Sequence, residues 1–132
     1  MPKNTLDRKT HVNELVTMIA QTCNDLKAIN LKALDVSQNF SLSDAFIIVS
    51  GRSDRHAQGI AYRLIELAES KSLELITIEG LEKAHWILLD FGNVVVHVFY
   101  EPIREHYNLE ELWNECPEIK LDTDLKTKLQ AA

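Results

Sequence analysis

With 132 residues the chain has room for one domain of ordinary size and short tails, which excludes a two-domain arrangement. Its 45% hydrophobic and 26% charged residues, four Gly and three Pro are those of a globular protein rather than a disordered or collagen-like one. A formal net charge of -6 argues against wrapping nucleic acid, which needs a basic face to neutralise phosphates.

Residues 10–28 place Val12, Leu15, Val16, Ile19, Cys23 and Leu26 at helical spacing, with Thr10 available as N-cap, and predict a first amphipathic helix. The stretch LKALDVS alternates Leu31, Ala33 and Asp35 with Lys32, Leu34 and Val36, which fits a half-buried strand. AFIIVSG, residues 45–51, is apolar on both faces and reads as an interior strand covered on both sides. A second helix is expected from about Asp54 to Lys71, capped by Ser53, with Ala57, Ile60, Ala61, Leu64, Leu67 and Ala68 as its buried stripe. LELITIEG, residues 73–80, predicts a third strand.

Residues 85–100, HWILLDFGNVVVHVFY, are two apolar runs flanking Gly92-Asn93, a pair suited to a two-residue hairpin loop. That loop makes Asp90 face Val95, Leu88 face His97 and Trp86 face Phe99, and alternation puts all six side chains on one mixed face. The opposite face carries Ile87, Leu89, Val94, Val96 and Val98, an aliphatic core surface. Beyond Pro102 a short helix with Tyr107, Leu109, Leu112 and Trp113 is expected, followed by a polar tail with weak helical character from Leu121. Interleaved helices and strands with at least one hairpin predict a single α/β domain built on a mixed sheet of about five strands.

Few residues support chemistry. The run SGRSDRH, residues 50–56, is a strand-to-helix turn where a helix N-terminus can hold a phosphate. It has one Gly, no Lys-Ser/Thr and no G-x-G-x-x-G, and no carboxylate pair follows on a strand to hold Mg2+ for nucleotidyl transfer. A capped helix is the plainer reading. The five histidines have no metal-binding spacing, G-x-S-x-G is absent, and Cys23 and Cys116 are too far apart in sequence to suggest a zinc knuckle or disulfide framework. His97 reads as a strand histidine satisfied by a carboxylate or backbone group. No metal, cofactor or catalytic residue is expected, nor any membrane span, since no apolar run approaches the roughly 20 residues required. The opening MPKNTLDRKT has no apolar stretch for a signal peptide, so a cytoplasmic location is expected.

Charge and aromatics point elsewhere. Residues 79–118 hold nine acids and two bases, a net -7, while the remainder carries 11 acids and 12 bases, a net +1. Such asymmetry implies a basic partner. The mixed face of the hairpin, with Trp86, Leu88 and Phe99 among His97 and Asp90, is either core beneath a helix or a binding centre with an acidic rim.

The run EGLEKAHWILLDFGNVVVHVFYEPIREHYNLEELW, residues 79–113, closely resembles the signature of the ribosomal silencing factor family, also called Iojap-like proteins. ALDVS at 33–37 and SDAFIIVSGRSDRHAQGIA at 43–61 match the same family in the same order. The one departure is Asn93, where the family often has Asp. The resemblance implies a nucleotidyltransferase-like fold without catalytic carboxylates, in a silencing factor domain over residues 1–118 with a polar tail over 119–132. It also implies a translation repressor that binds the fourteenth protein of the large ribosomal subunit and blocks joining of the small subunit, with homodimers in some members. No sequence-specific nucleic acid binding is expected. Glu79, Trp86, Asp90, His97, Phe99, Glu101, Arg104 and Tyr107 are the partner-binding candidates. A nucleotide-binding or nucleotidyltransferase-like enzyme using the Gly51 turn, or a large-subunit assembly factor, are the alternatives.

Overall fold

In a computed structural model, residues 5–38, 43–108, 111 and 114–121 are described, with side chains from residue 10 onward. The order of elements is α1 (Thr5–Asp25), β1 (Ile29–Asp35), β2 (Ala45–Gly51), α2 (Asp54–Ser70), β3 (Thr77–Glu79), β4 (Trp86–Asp90), β5 (Val94–Tyr100) and α3 (Glu101–Tyr107). The strands form one mixed sheet in the order β1-β2-β5-β4-β3, in which β2 and β5 run parallel and the other neighbours antiparallel. The expected α/β class and five-stranded mixed sheet are what the chain adopts.

The hairpin has the anticipated register: Trp86 pairs with Phe99, Leu88 with His97 and Asp90 with Val95. Its two-residue loop closes with Phe91 N–H donating to the Val94 carbonyl at 2.8 Å, and the Asp90 Oδ1 accepts from Gly92 N–H, also at 2.8 Å. Gly92 takes φ of 90°, a left-handed backbone that favours glycine, while Asn93 does not enter the positive region.

One face of the sheet is the main core. Ile87, Leu89, Val94, Val96 and Val98, all fully buried, join Ala33, Ala45, Ile47 and Val49 beneath the apolar stripes of α1 and α2. All seven residues of β2 are buried, as its two-sided apolar sequence requires. Ser53 caps α2, its side chain accepting from His56 N–H at 3.0 Å. On the opposite face a second cluster forms around Leu34, Val36, Phe46, Ile48, Val95, Phe99 and Cys116, with Trp86, Leu88 and Ile103 packed at its border.

Four boundaries differ from expectation. Helix α1 begins at Thr5, so Thr10 lies inside it rather than at its cap. Strand β1 starts at Ile29, and its register slips by one residue between Ile29 and Lys32, around Asn30 with φ of 53°; this bulge hides the strand's first residues from an alternation pattern. Strand β3 shrinks to three exposed residues. The preceding Leu73 N–H instead closes the C-terminus of α2 on the Ala68 carbonyl at 2.8 Å, and Leu75 packs against the core without a ladder. Helix α3 starts one residue before Pro102, which its first turn accommodates without losing a hydrogen bond. The expected contributions of Leu109, Leu112 and Trp113, and of the tail past Leu121, lie outside the described residues.

Candidate functional site

The site is assembled where β4, β5 and α3 meet. Register puts Trp86 opposite Phe99, and the two rings stack with centroids 5.1 Å apart and 27° between planes. Helix α3 folds back over the end of β5 and brings Tyr107 to 5.8 Å from the Trp86 ring. His97 lies diagonally across the ladder from Trp86, and its Nδ1 accepts the indole N–H at 3.2 Å. The imidazole in turn meets Phe46 of β2 edge-on at 5.0 Å. Trp86, His97, Phe99 and Tyr107 thus form one aromatic cluster.

Their exposures divide it into a surface and a support. Trp86 is half-buried and Tyr107 is 55% exposed, so these two present ring surface. Phe99 is 0% and His97 5% exposed, and both lie beneath them. Burial lowers the His97 pKa to about 4, which keeps the imidazole neutral near pH 7 and able to accept at Nδ1. The sequence pointed to a carboxylate or backbone partner for this histidine; the partner at Nδ1 is the Trp86 indole.

The charged candidates fall into different places. Glu79 is exposed on β3 opposite Leu88, and therefore on the same sheet face as the aromatic cluster. Asp90 also shares that face, but it sits four residues beyond Trp86 along β4, roughly 13 Å at the usual strand rise, and its Oδ1 caps the hairpin loop. Arg104 is only 5% exposed and turned inward: its Nη1 donates to the Asn30 carbonyl at 2.7 Å and to the Ser50 hydroxyl at 3.0 Å, fastening α3 to β1 and β2. Glu101 accepts from Asn30 Nδ2 at 2.9 Å. Of the partner-binding candidates, Phe99 and His97 are buried beneath the Trp86 ring and Arg104 is turned inward from α3 toward β1 and β2, so these three support the surface that Trp86 and Tyr107 present.

Two residues that position the site were missed. Gly80 has φ of 80°, and a Cβ there would lie 2.2 Å from the Trp86 carbonyl oxygen. Ala84, also at positive φ and fully buried, closes the same turn with its N–H on the Gly80 carbonyl at 3.0 Å. The spacing E-G-x-x-x-A-x-W is thus a loop that delivers Trp86 to the start of β4. A glycine six residues before a strand tryptophan was the available signal.

The Gly51 turn has a packing explanation. A Cβ at Gly51 would stand 2.6 Å from the Ala57 backbone nitrogen, so its absence lets α2 approach β2 closely. The donors a phosphate would use are occupied or opposed: Arg55 N–H donates to the Asp54 carboxylate at 2.7 Å, His56 N–H to Ser53, and Asp54 adds negative charge to the first turn. Among the described residues no three His, Cys, Asp or Glu side chains gather to hold a metal ion. Burial pushes the Cys23 thiol up to about 12 and also raises that of Cys116, with Asp35 and Glu115 adding to the shift, so neither is an activated nucleophile. No helix among the described residues is long and apolar enough to cross a membrane.

The family model described as "Ribosomal silencing factor during starvation" matches residues 9–132. The chain belongs to the ribosomal silencing factor family. Among relatives of known name, the ribosomal silencing factor of Halalkalibacterium halodurans is 38% identical over 109 residues, covering 83% of this chain and 93% of that protein. That of Bacillus subtilis is 37% identical over 108 residues, covering 82% and 92%. A mouse protein named "Mitochondrial assembly of ribosomal large subunit protein 1" is 29% identical over 115 residues, covering 85% of this chain and 49% of its own length. A crystal structure of a Bacillus halodurans protein, 38% identical, superposes with a TM-score of 0.74 over 82% of this chain and 98% of that one. Trp86, His97, Phe99 and Tyr107, which form the aromatic cluster, all lie within the run at 79–113 that carries the resemblance to this family.

Proposed function

We propose that this silencing factor represses translation by docking on the fourteenth protein of the large ribosomal subunit, where its bulk keeps the small subunit from joining. The carrying observation is the Trp86–Tyr107 surface: two aromatic rings, one half-buried and one 55% exposed, supported from below by Phe99 on the sheet face opposite α1 and α2. Half-buried aromatics anchored from beneath are the usual centres of protein-binding hot spots. Exposed Glu79 on the same face and exposed Glu105 on α3 supply negative charge for the basic surface that rRNA-binding proteins carry.

Co-sedimentation with isolated large subunits tests this reading. The wild-type chain pellets with large subunits and reduces their joining to small subunits, whereas a folded Trp86→Ala variant does neither. Normal pelleting and normal inhibition by that variant would overturn the proposed site. A second reading, action during assembly of the large subunit, draws on the name of the mouse relative. It uses the same surface, and accumulation of incomplete large subunits in cells lacking the protein would favour it over blockade of mature ones.

A further inference from the structure

We propose that His97 is a positioning residue for the docking surface: by accepting the Trp86 indole N–H at Nδ1, it fixes the ring's orientation and withdraws its only donor from the partner. This rests on the reading of Trp86 as the centre of the site. A stacked ring alone is held loosely, because offset stacking tolerates sliding and rotation in the ring plane. The 3.2 Å bond from Nε1 to His97 selects one orientation among those the Phe99 stack permits. The acceptor itself is fixed by its place in the sheet, since His97 pairs with Leu88 of β4 and Ile48 of β2, and its ring is braced edge-on by Phe46.

This arrangement has a consequence for recognition. An indole has one N–H and no acceptor, so a Trp86 whose N–H is bound inside the chain offers a partner only ring surface. The complementary contact is then an apolar side chain or a cation lying on the ring, and a basic partner can supply the cation from lysine or arginine. Burial supports the assignment by keeping His97 neutral, so the acceptor is present throughout the neutral pH range. A side chain ordered before binding does not lose its rotational freedom on docking, and the corresponding advantage in affinity is roughly three- to ten-fold.

The test compares His97→Phe, which keeps a ring but removes the acceptor, with His97→Asn, whose Oδ1 can occupy nearly the place of Nδ1. The readouts are affinity for isolated large subunits and the indole N–H signal of Trp86 in nitrogen-15 NMR spectra. The sequence has two tryptophans, so the Trp86 signal is assigned by its loss in Trp86→Phe. The expected result for His97→Phe is a shifted, faster-exchanging indole signal and three- to ten-fold weaker binding, with both returned toward wild type in His97→Asn. A purely structural role for His97 would not give this paired rescue. Unchanged affinity in folded His97→Phe overturns the proposal, as does His97→Asn that retains the indole signal but binds as weakly as His97→Phe. If His97→Phe does not fold, His97→Leu, which also removes the acceptor, takes its place in the comparison with His97→Asn: three- to ten-fold weaker binding and a shifted indole signal support the proposal, and wild-type affinity overturns it. Wild-type affinity in Trp86→Ala would instead remove the underlying docking site, an outcome distinct from failure of the positioning role alone.

Discussion

Trp86 and Phe99 belong to one stack yet face different environments, and truncation separates them. Trp86→Ala is expected to cost about 2–4 kcal/mol of binding, roughly 30- to 1,000-fold in affinity, with a small change in unfolding midpoint. Phe99→Ala empties a fully buried site and is expected to cost about 3–5 kcal/mol of stability. Urea unfolding alongside large-subunit pelleting distinguishes the two outcomes. His97 adds a pH dependence. Its folded pKa is lowered to about 4 from an ordinary value of 6.5, so on acidification the unfolded chain takes up a proton before the folded one. Stability from this group is therefore intact above pH 6.5, declines as pH falls toward 4, and has lost about 3 kcal/mol below that. His97→Asn cannot take up that proton, and its stability is expected to fall less steeply than wild type between pH 6.5 and 4 in urea titrations. Parallel curves for the two proteins would contradict a buried, neutral His97.

Loops decide where these residues stand, and the turn before β4 is the clearest case. Gly80→Ala brings both a left-handed backbone and a Cβ 2.2 Å from the Trp86 carbonyl oxygen, so β4 must shift at its first residue. A loss of about 1–3 kcal/mol in stability is expected, together with a changed Trp86 indole signal and weaker docking. An unchanged indole signal would show that the turn does not set the tryptophan's place. The same contrast between elements explains what the sequence made legible. The hairpin register followed from period-2 alternation around a two-residue loop, and α2 followed from a 3.6-residue stripe behind a serine cap, because both signals are local. The bulge at Asn30 and the brevity of β3 were hidden, since each depends on a neighbouring strand rather than on the residues themselves. Within the site, the mixed face was readable from alternation. The burial of Phe99 and Arg104 was not, because it arises when α3 folds back and Arg104 bonds to the Asn30 carbonyl, 74 residues away in sequence. The Trp86–His97 bond lay between these limits: the register makes the two diagonal neighbours, within reach of aromatic side chains, but alternation does not say which atoms meet.

Across the whole molecule, the sheet separates two kinds of surface: α1 and α2 seal one face, while the other carries the aromatic cluster and is bordered by the acidic stretch. The net charge of -7 over residues 79–118 understates how negative the outward surface of that stretch is. One of its two bases, Arg104, is buried against Asn30 and Ser50, which leaves Lys83 as the exposed base among exposed Glu79, Glu82, Glu105, Glu111, Glu115 and Glu118. Each exposed pair with a basic partner contributes only about 0.2–1 kcal/mol and is screened by salt, so their combined effect falls chiefly on the rate of encounter. Glu79 and Glu105 are better probes than Glu101 or Asp90, whose carboxylates already accept hydrogen bonds within the chain. Reversal to Lys at Glu79 and Glu105 together is expected to slow association with large subunits several-fold at low salt while leaving dissociation nearly unchanged. Wild type and variant should converge as ionic strength rises and the Debye length shrinks from about 10 Å at 0.1 M to about 3 Å at 1 M. Stopped-flow association across a salt series measures this directly. A rate that does not vary with salt would mean that the acidic stretch serves solubility alone and that the aromatic surface finds its partner without steering.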